Sequence, residues 1–122
     1  MTQKTEQPAL RIRIVFGEIG MIGPGKAELL ELIAHCGSIA AAGREMNMSY
    51  KRAWELIGTM NAMFRDPVVD STRGGPGGGG AVLTEAGRQV LTLCRSFEAQ
   101  SAQAGAAQLD SLQALLRDQP KP

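Results

Sequence analysis

Apolar residues recur along this chain with two different periods. Leu10-Arg11-Ile12-Arg13-Ile14-Val15-Phe16 alternates apolar and polar positions, the pattern of a half-buried strand. It predicts Leu10, Ile12, Ile14 and Phe16 facing inward and Arg11 and Arg13 outward. Gly17–Gly23 reads as a turn region, and Pro24 suits a first helical position, where its missing N–H costs nothing. From Lys26 to Cys36 the period lengthens to that of an amphipathic helix, with Leu29, Leu30, Ile33 and Cys36 on the buried side. Gly37 stands where a helix C-cap is expected.

Gly37–Phe64 is the stretch around which the rest is organised. Ser38 precedes the alanine-rich run Ile39–Met46, and its hydroxyl can cap the first free N–H groups. Asn47-Met48-Ser49 break that run, and Ser49 is a second N-cap opening Tyr50–Phe64. A short helix, a tight turn and a longer helix describe a helix-turn-helix. At roughly 100° per residue, Ala53, Ile57, Met60 and Phe64 form one apolar stripe of the second helix, with Tyr50 at its margin. Lys51, Arg52, Glu55, Thr59 and Ala62 lie on the opposite face. Two cations in a first turn oppose the helix dipole, so an anionic partner is expected there.

Beyond this unit, Pro67–Arg73 and Ala81–Thr84 have strand composition and flank the glycine tract Gly74–Gly80, interrupted by Pro76. Two short strands around a glycine-rich loop predict a hairpin, and one that follows such a helix is a wing. Glycine permits close approach to a phosphate chain, and Arg73 at the loop base supplies charge. Thr84 is an N-cap for a last helix bearing Val90, Leu91, Cys94 and Phe97. Gly105 interrupts it, and Leu109, Leu112, Leu115 and Leu116 form a further stripe. That stripe is suited either to dimerisation or to folding back on its own domain. The expected organisation is a disordered N-terminus over 1–9, a winged helix-turn-helix over 10–84, and a helical dimerisation segment over 85–122. The fold class is mainly α with a small β component.

Length and charge add limits. A chain of 122 residues holds one core. No apolar run is long enough for a membrane span, and the polar start MTQKTEQPAL lacks the apolar core of a signal peptide. Cys36 and Cys94 have no metal-binding spacing; reduced thiols and a cytoplasmic location are expected, with no metal and no cofactor. A net charge of +1 does not announce a nucleic-acid binder, so any cationic surface must come from placement.

Several sharper chemistries are weaker than their bland alternatives. Gly23-Pro24-Gly25-Lys26 lacks the spacing and the Lys-[Ser/Thr] pair of a phosphate loop, since Ala27 follows Lys26. His35 is the single histidine and no nucleophile–base set surrounds it, so no enzyme activity is expected. Met46, Met48, Met60 and Met63 read as core filling. Trp54 sits between core and free face, with packing favoured over DNA contact.

The order of these elements, with LLELIAHCGSIAAAGREMNMSYKRAW, the glycine tract and LTEAGR, resembles the N-terminal DNA-binding domain of ModE-type molybdate-responsive regulators. It is similar, more distantly, to the winged helix of LysR-type regulators. The resemblance covers roughly residues 10 to 100. It implies a dimeric, sequence-specific transcription regulator on palindromic double-stranded DNA. Tyr50, Lys51 and Arg52 would be in or beside the major groove; on the reading of the residues themselves, Glu55 is a further base-edge candidate, and Ser38, Ser49, Arg73, Gly77 and Gly78 are expected to complete the interface. The molybdate-binding module of two-domain members has no counterpart in this sequence, so the chain would bind DNA without sensing oxyanion itself, sense it through another chain, or regulate something unrelated to molybdenum. Two rivals use the same fold: a protein-interaction module without DNA, and a small sensor binding oxyanion at helix starts or the glycine loop.

Overall fold

Two antiparallel ribbons and three packed helices surround a core whose centre is α1. In the computed structural model, residues 8–72 and 80–117 are described. The elements are β1 (Ile14–Phe16), β2 (Gly20–Ile22), α1 (Pro24–Cys36), α2 (Ile39–Glu45), α3 (Tyr50–Met63), β3 (Val69–Ser71), β4 (Ala81–Leu83), α4 (Glu85–Ala104) and α5 (Ala106–Ala114). Helix α1 begins at Pro24 and ends at Gly37, whose left-handed φ of 70° is the conformation for which glycine has no Cβ penalty. Leu29, Leu30 and Ile33 are fully buried on α1 and meet Ile39 and Ala42 of α2, Ala53, Ile57 and Met60 of α3, and Val68, Val69, Ala81 and Leu83 of the second ribbon. This is a winged helix-turn-helix core.

Both serine caps form. Ser38 Oγ accepts the N–H of Ala41 at 3.1 Å, and Ser49 Oγ accepts the N–H of Arg52 at 3.0 Å. Between the helices Asn47 takes a left-handed φ of 57°, a conformation Asn tolerates better than most residues. The N–H of Met48 then donates to Gly43 O at 2.9 Å. A Cβ on Gly43 would already lie 3.4 Å from that of Ala53, so the small residue sets how closely α2 and α3 approach. Met60 is fully buried and Met46 and Met48 are packed on the core, the filling role expected of them.

Two details differ from expectation. The strand expected over Leu10–Phe16 is only Ile14–Phe16, and the turn region supplies its partner, with Ile14 opposite Ile22 and Phe16 opposite Gly20. Ile22 is buried while Phe16 remains 41% exposed. Alternation puts Phe16 on the same side as Ile14, but the ribbon tip overhangs the end of the core. Cys36 is exposed rather than buried, because α1 stops there and Gly37 turns the chain away. Of the last segment's leucines, suited on sequence either to dimerisation or to folding back, Leu109 is half-buried while Leu112, Leu115 and Leu116 are exposed at 60%, 81% and 63%. Residues 1–7 and 118–122 fall outside the described residues, as does Arg73 with the glycine tract to Gly79.

Candidate nucleic-acid interface

Helix α3 is held from below and from one side, and its remaining surface is free. Ala53, Ile57 and Met60 are buried against α1 and α2, with Phe64 packed at the edge. Burying such side chains contributes on the order of 1.5–3 kcal/mol for each large one, enough to fix the helix's rotation about its axis. Around the rest of the circumference, Tyr50, Trp54, Gly58, Lys51, Ala62, Glu55, Thr59 and Arg52 are all exposed. The face expected to be free is therefore free, and Trp54, expected to pack, lies on it instead at 45% exposure.

Charge on this face is lightly held. Arg52 Nη1 lies 3.9 Å from Glu55 Oε1, with side chains 60% and 54% exposed. An exposed pair at this separation contributes well under about 1 kcal/mol, so either group can exchange its partner for a ligand. Lys51 is exposed in the first turn. Ser49 and Ser38 are each committed through Oγ to helix capping, which leaves their hydroxyl hydrogens as donors. Ser38 is half-buried and Ser49 exposed.

The wing is anchored at four points. The N–H of Ala81 donates to Gly37 O at 3.0 Å, joining β4 to the turn between α1 and α2. The N–H of Thr72 donates to Gly80 O at 2.9 Å, and the N–H of Gly80 returns to Thr72 Oγ1 at 3.0 Å. These bonds bring together the two residues that flank 73–79. Asn61 supplies the third anchor. Its Oδ1 accepts the N–H of Val68 at 2.8 Å and that of Val69 at 3.2 Å, and its Nδ2 donates to Val69 O at 3.4 Å. At the far end Thr84 caps α4 through Gly87 N at 2.9 Å and donates its hydroxyl to Pro67 O at 2.6 Å.

Tyr50, Lys51, Arg52 and Glu55 are thus each exposed around the N-terminal part of α3, with Ser49 at its end and Ser38 on the neighbouring helix. Arg73, Gly77 and Gly78 lie outside the described residues. Asn61, Gly43 and Gly87, which hold the parts in place, carried weaker signals in the sequence. Asn61 is a polar residue about 40° from Ile57 at the edge of the apolar stripe of its helix, and Gly87 is a glycine inside a helical run, where it costs stability unless packing requires it. Among the described residues no group of three or more His, Cys, Asp or Glu side chains could hold a metal ion, and no helix is long and apolar enough to cross a membrane. Lys26 Nζ donates to Met21 O at 2.9 Å, so the lysine of the Gly-Pro-Gly-Lys stretch is engaged with β2.

A buttressed two-helix unit with an outward helix and a hairpin tied to its side defines the winged helix-turn-helix class. Residues 25–88 match the bacterial regulatory helix-turn-helix proteins of the lysR family, and the chain belongs to that family. Over 70 residues it is 46% identical to the molybdenum-pterin-binding protein MopA of Rhodobacter capsulatus, a match covering 57% of this chain and 26% of that protein. It is 41% identical over 73 residues to the molybdenum transport protein ModE of Azotobacter vinelandii, covering 60% and 27%. With the DNA-binding transcriptional dual regulator ModE of Escherichia coli (strain K12) it shares 41% identity over 70 residues, covering 57% and 27%. The chain thus spans little more than a quarter of the length of these relatives.

Proposed function

We propose that this chain binds double-stranded DNA sequence-specifically and regulates transcription, with α3 in the major groove and the wing on the flanking backbone. The observation that carries this reading is the free face of α3: a cationic first turn, held outward by a buried underside, in a chain of a regulatory helix-turn-helix family. Phosphate contacts from the wing and helix starts would set the register, while Tyr50, Lys51, Arg52 and Glu55 would read base edges. Arg73, Gly77 and Gly78 are proposed wing contacts, on sequence position alone. The function is binding rather than chemistry, and the setting is the cytoplasm.

The working unit is a homodimer. Leu93 and Phe97 of α4 are 63% and 49% exposed, and with Leu112, Leu115 and Leu116 they leave the C-terminal helices with unpaired apolar surface. Two symmetric copies of α3 require half-sites about one helical turn apart, or a multiple of it, in a palindromic operator. The relatives' names connect the regulated process with molybdenum, and the same setting is proposed here.

Selection of bound duplexes from a random pool tests the reading. A palindromic consensus with two half-sites is expected; enrichment of no sequence would contradict it. Adding molybdate to the same binding reaction tests for a direct effector, and an unchanged affinity is expected for residues 1–122.

A further inference from the structure

Trp54 lies one helical turn beyond Tyr50, and its indole Nε1–H donates to the Tyr50 hydroxyl oxygen at 2.7 Å. Both rings stand on the free face of α3, 45% and 53% exposed, while Ala53, Ile57 and Met60 fill the core beneath. Neither ring is needed to close that core. A hydrogen bond between two solvent-exposed side chains gains little over their bonds to water, so stability gives no strong reason for the pair. Its consequence is geometric. Indole nitrogen is a donor only, whereas a phenol both donates and accepts. The bond therefore assigns the roles: the Tyr50 oxygen accepts from Trp54, and its O–H points elsewhere as a donor. Accepting one hydrogen bond also strengthens the phenol as a donor. The ring is held in position before any ligand arrives, which lowers the ordering cost of binding.

We infer that Trp54 is a positioning residue that fixes Tyr50 as a hydrogen-bond donor toward an acceptor on a major-groove base edge. Purine N7, guanine O6 and thymine O4 are such acceptors, whereas cytosine presents the N4 amino donor. A freely rotating phenol could accept from cytosine N4. With its oxygen engaged by the indole, Tyr50 disfavours cytosine at the base it meets. This inference rests on the DNA-binding reading of α3 and adds the polarity of one contact to it.

The test is random-pool selection with the full chain and with Tyr50→Phe, Trp54→Phe and the double variant, all checked for an unchanged thermal midpoint. Trp54→Phe keeps an aromatic ring and removes the indole donor together with part of the ring area. The wild type is expected to exclude cytosine at one position of each half-site. Tyr50→Phe should relax that exclusion about three- to tenfold, the range for one neutral hydrogen bond. Trp54→Phe should relax the same position, and the double variant no further than Tyr50→Phe alone. Because Trp54 is the sole tryptophan, Tyr50→Phe should also shift its fluorescence maximum. Variants that keep the wild-type base preference, or that weaken equally for every sequence as a phosphate contact would, overturn the inference while leaving DNA binding intact. A wild type that enriches no sequence removes the DNA-binding reading and this inference with it.

Discussion

A Cβ placed on Gly87 would lie 2.0 Å from the carbonyl oxygen of Val68. The first turn of α4 therefore rests directly on the residue just before β3, and Thr84 closes the same junction through Pro67 and Gly87. Gly87→Ala forces the backbone of Val68 away and should destabilise the protein by about 2–3 kcal/mol. Gly58, on the free face of α3, meets nothing within 4 Å. Gly58→Ala should stabilise by about 0.5–1 kcal/mol through helix propensity. Urea denaturation of the two variants checks both; equal midpoints would refute the contact at Gly87.

Asn61 ties the helix to the wing through two N–H groups of buried valines. Asn61→Ala removes that acceptor, and leaving buried donors unpaired costs about 1–3 kcal/mol. The accompanying signature is local: amide exchange at Val68 and Val69 should accelerate more than at Leu29 or Leu30. Uniform acceleration would mean that Asn61 does not act as a specific tie.

Arg95 joins α4 to α1. Its Nε donates to Glu31 Oε1 at 2.9 Å and its Nη1 to Glu98 Oε1 at 3.1 Å. Because the Arg95 and Glu31 side chains are 39% and 55% exposed, a double-mutant cycle between them should yield a coupling below about 1 kcal/mol that shrinks in salt. A larger, salt-independent coupling would show a more sheltered bridge.

Burial pushes the Cys94 thiol above its ordinary value, with Glu98 adding to the shift and Arg95 opposing it. The folded state thus favours the neutral thiol. The stability this group contributes is complete below the unfolded value and is lost as pH rises past it. Iodoacetamide at pH 8 should label exposed Cys36 well before Cys94; equal rates would contradict the shielding.

Much of the fold is legible in the sequence where local chemistry and periodicity agree. Ser38, Ser49 and Thr84 announce helix starts, Gly37 an end, and the stripes of α1 and α3 announce which faces are buried. The positions that sequence leaves unmarked depend on partners outside their own element. Asn61 finds its partners seven and eight residues on, and Gly87 is explained by Val68. Phe16 and Cys36 continue apolar patterns past the point where the core ends, which periodicity alone does not mark. Trp54 lies at the margin of a helical wheel, and only the packing of Ala53 and Ile57 decides its side.

The exposed leucines predict self-association. Leu93→Glu combined with Leu112→Glu replaces two surface apolar residues at little cost to folding and should convert a dimer to a monomer by sedimentation velocity. A wild-type chain that sediments as a monomer at micromolar concentration would contradict the dimer.

The most direct test of the free face of α3 is the salt dependence of binding to the selected operator, for wild type and for Lys51→Ala with Arg52→Ala. The wild type should show a steep linear fall of log affinity with log salt. The double variant should bind more weakly, its slope shallower by about one for each phosphate it no longer neutralises. An affinity and slope identical to wild type would place the cationic turn of α3 outside the DNA interface and contradict the proposed function.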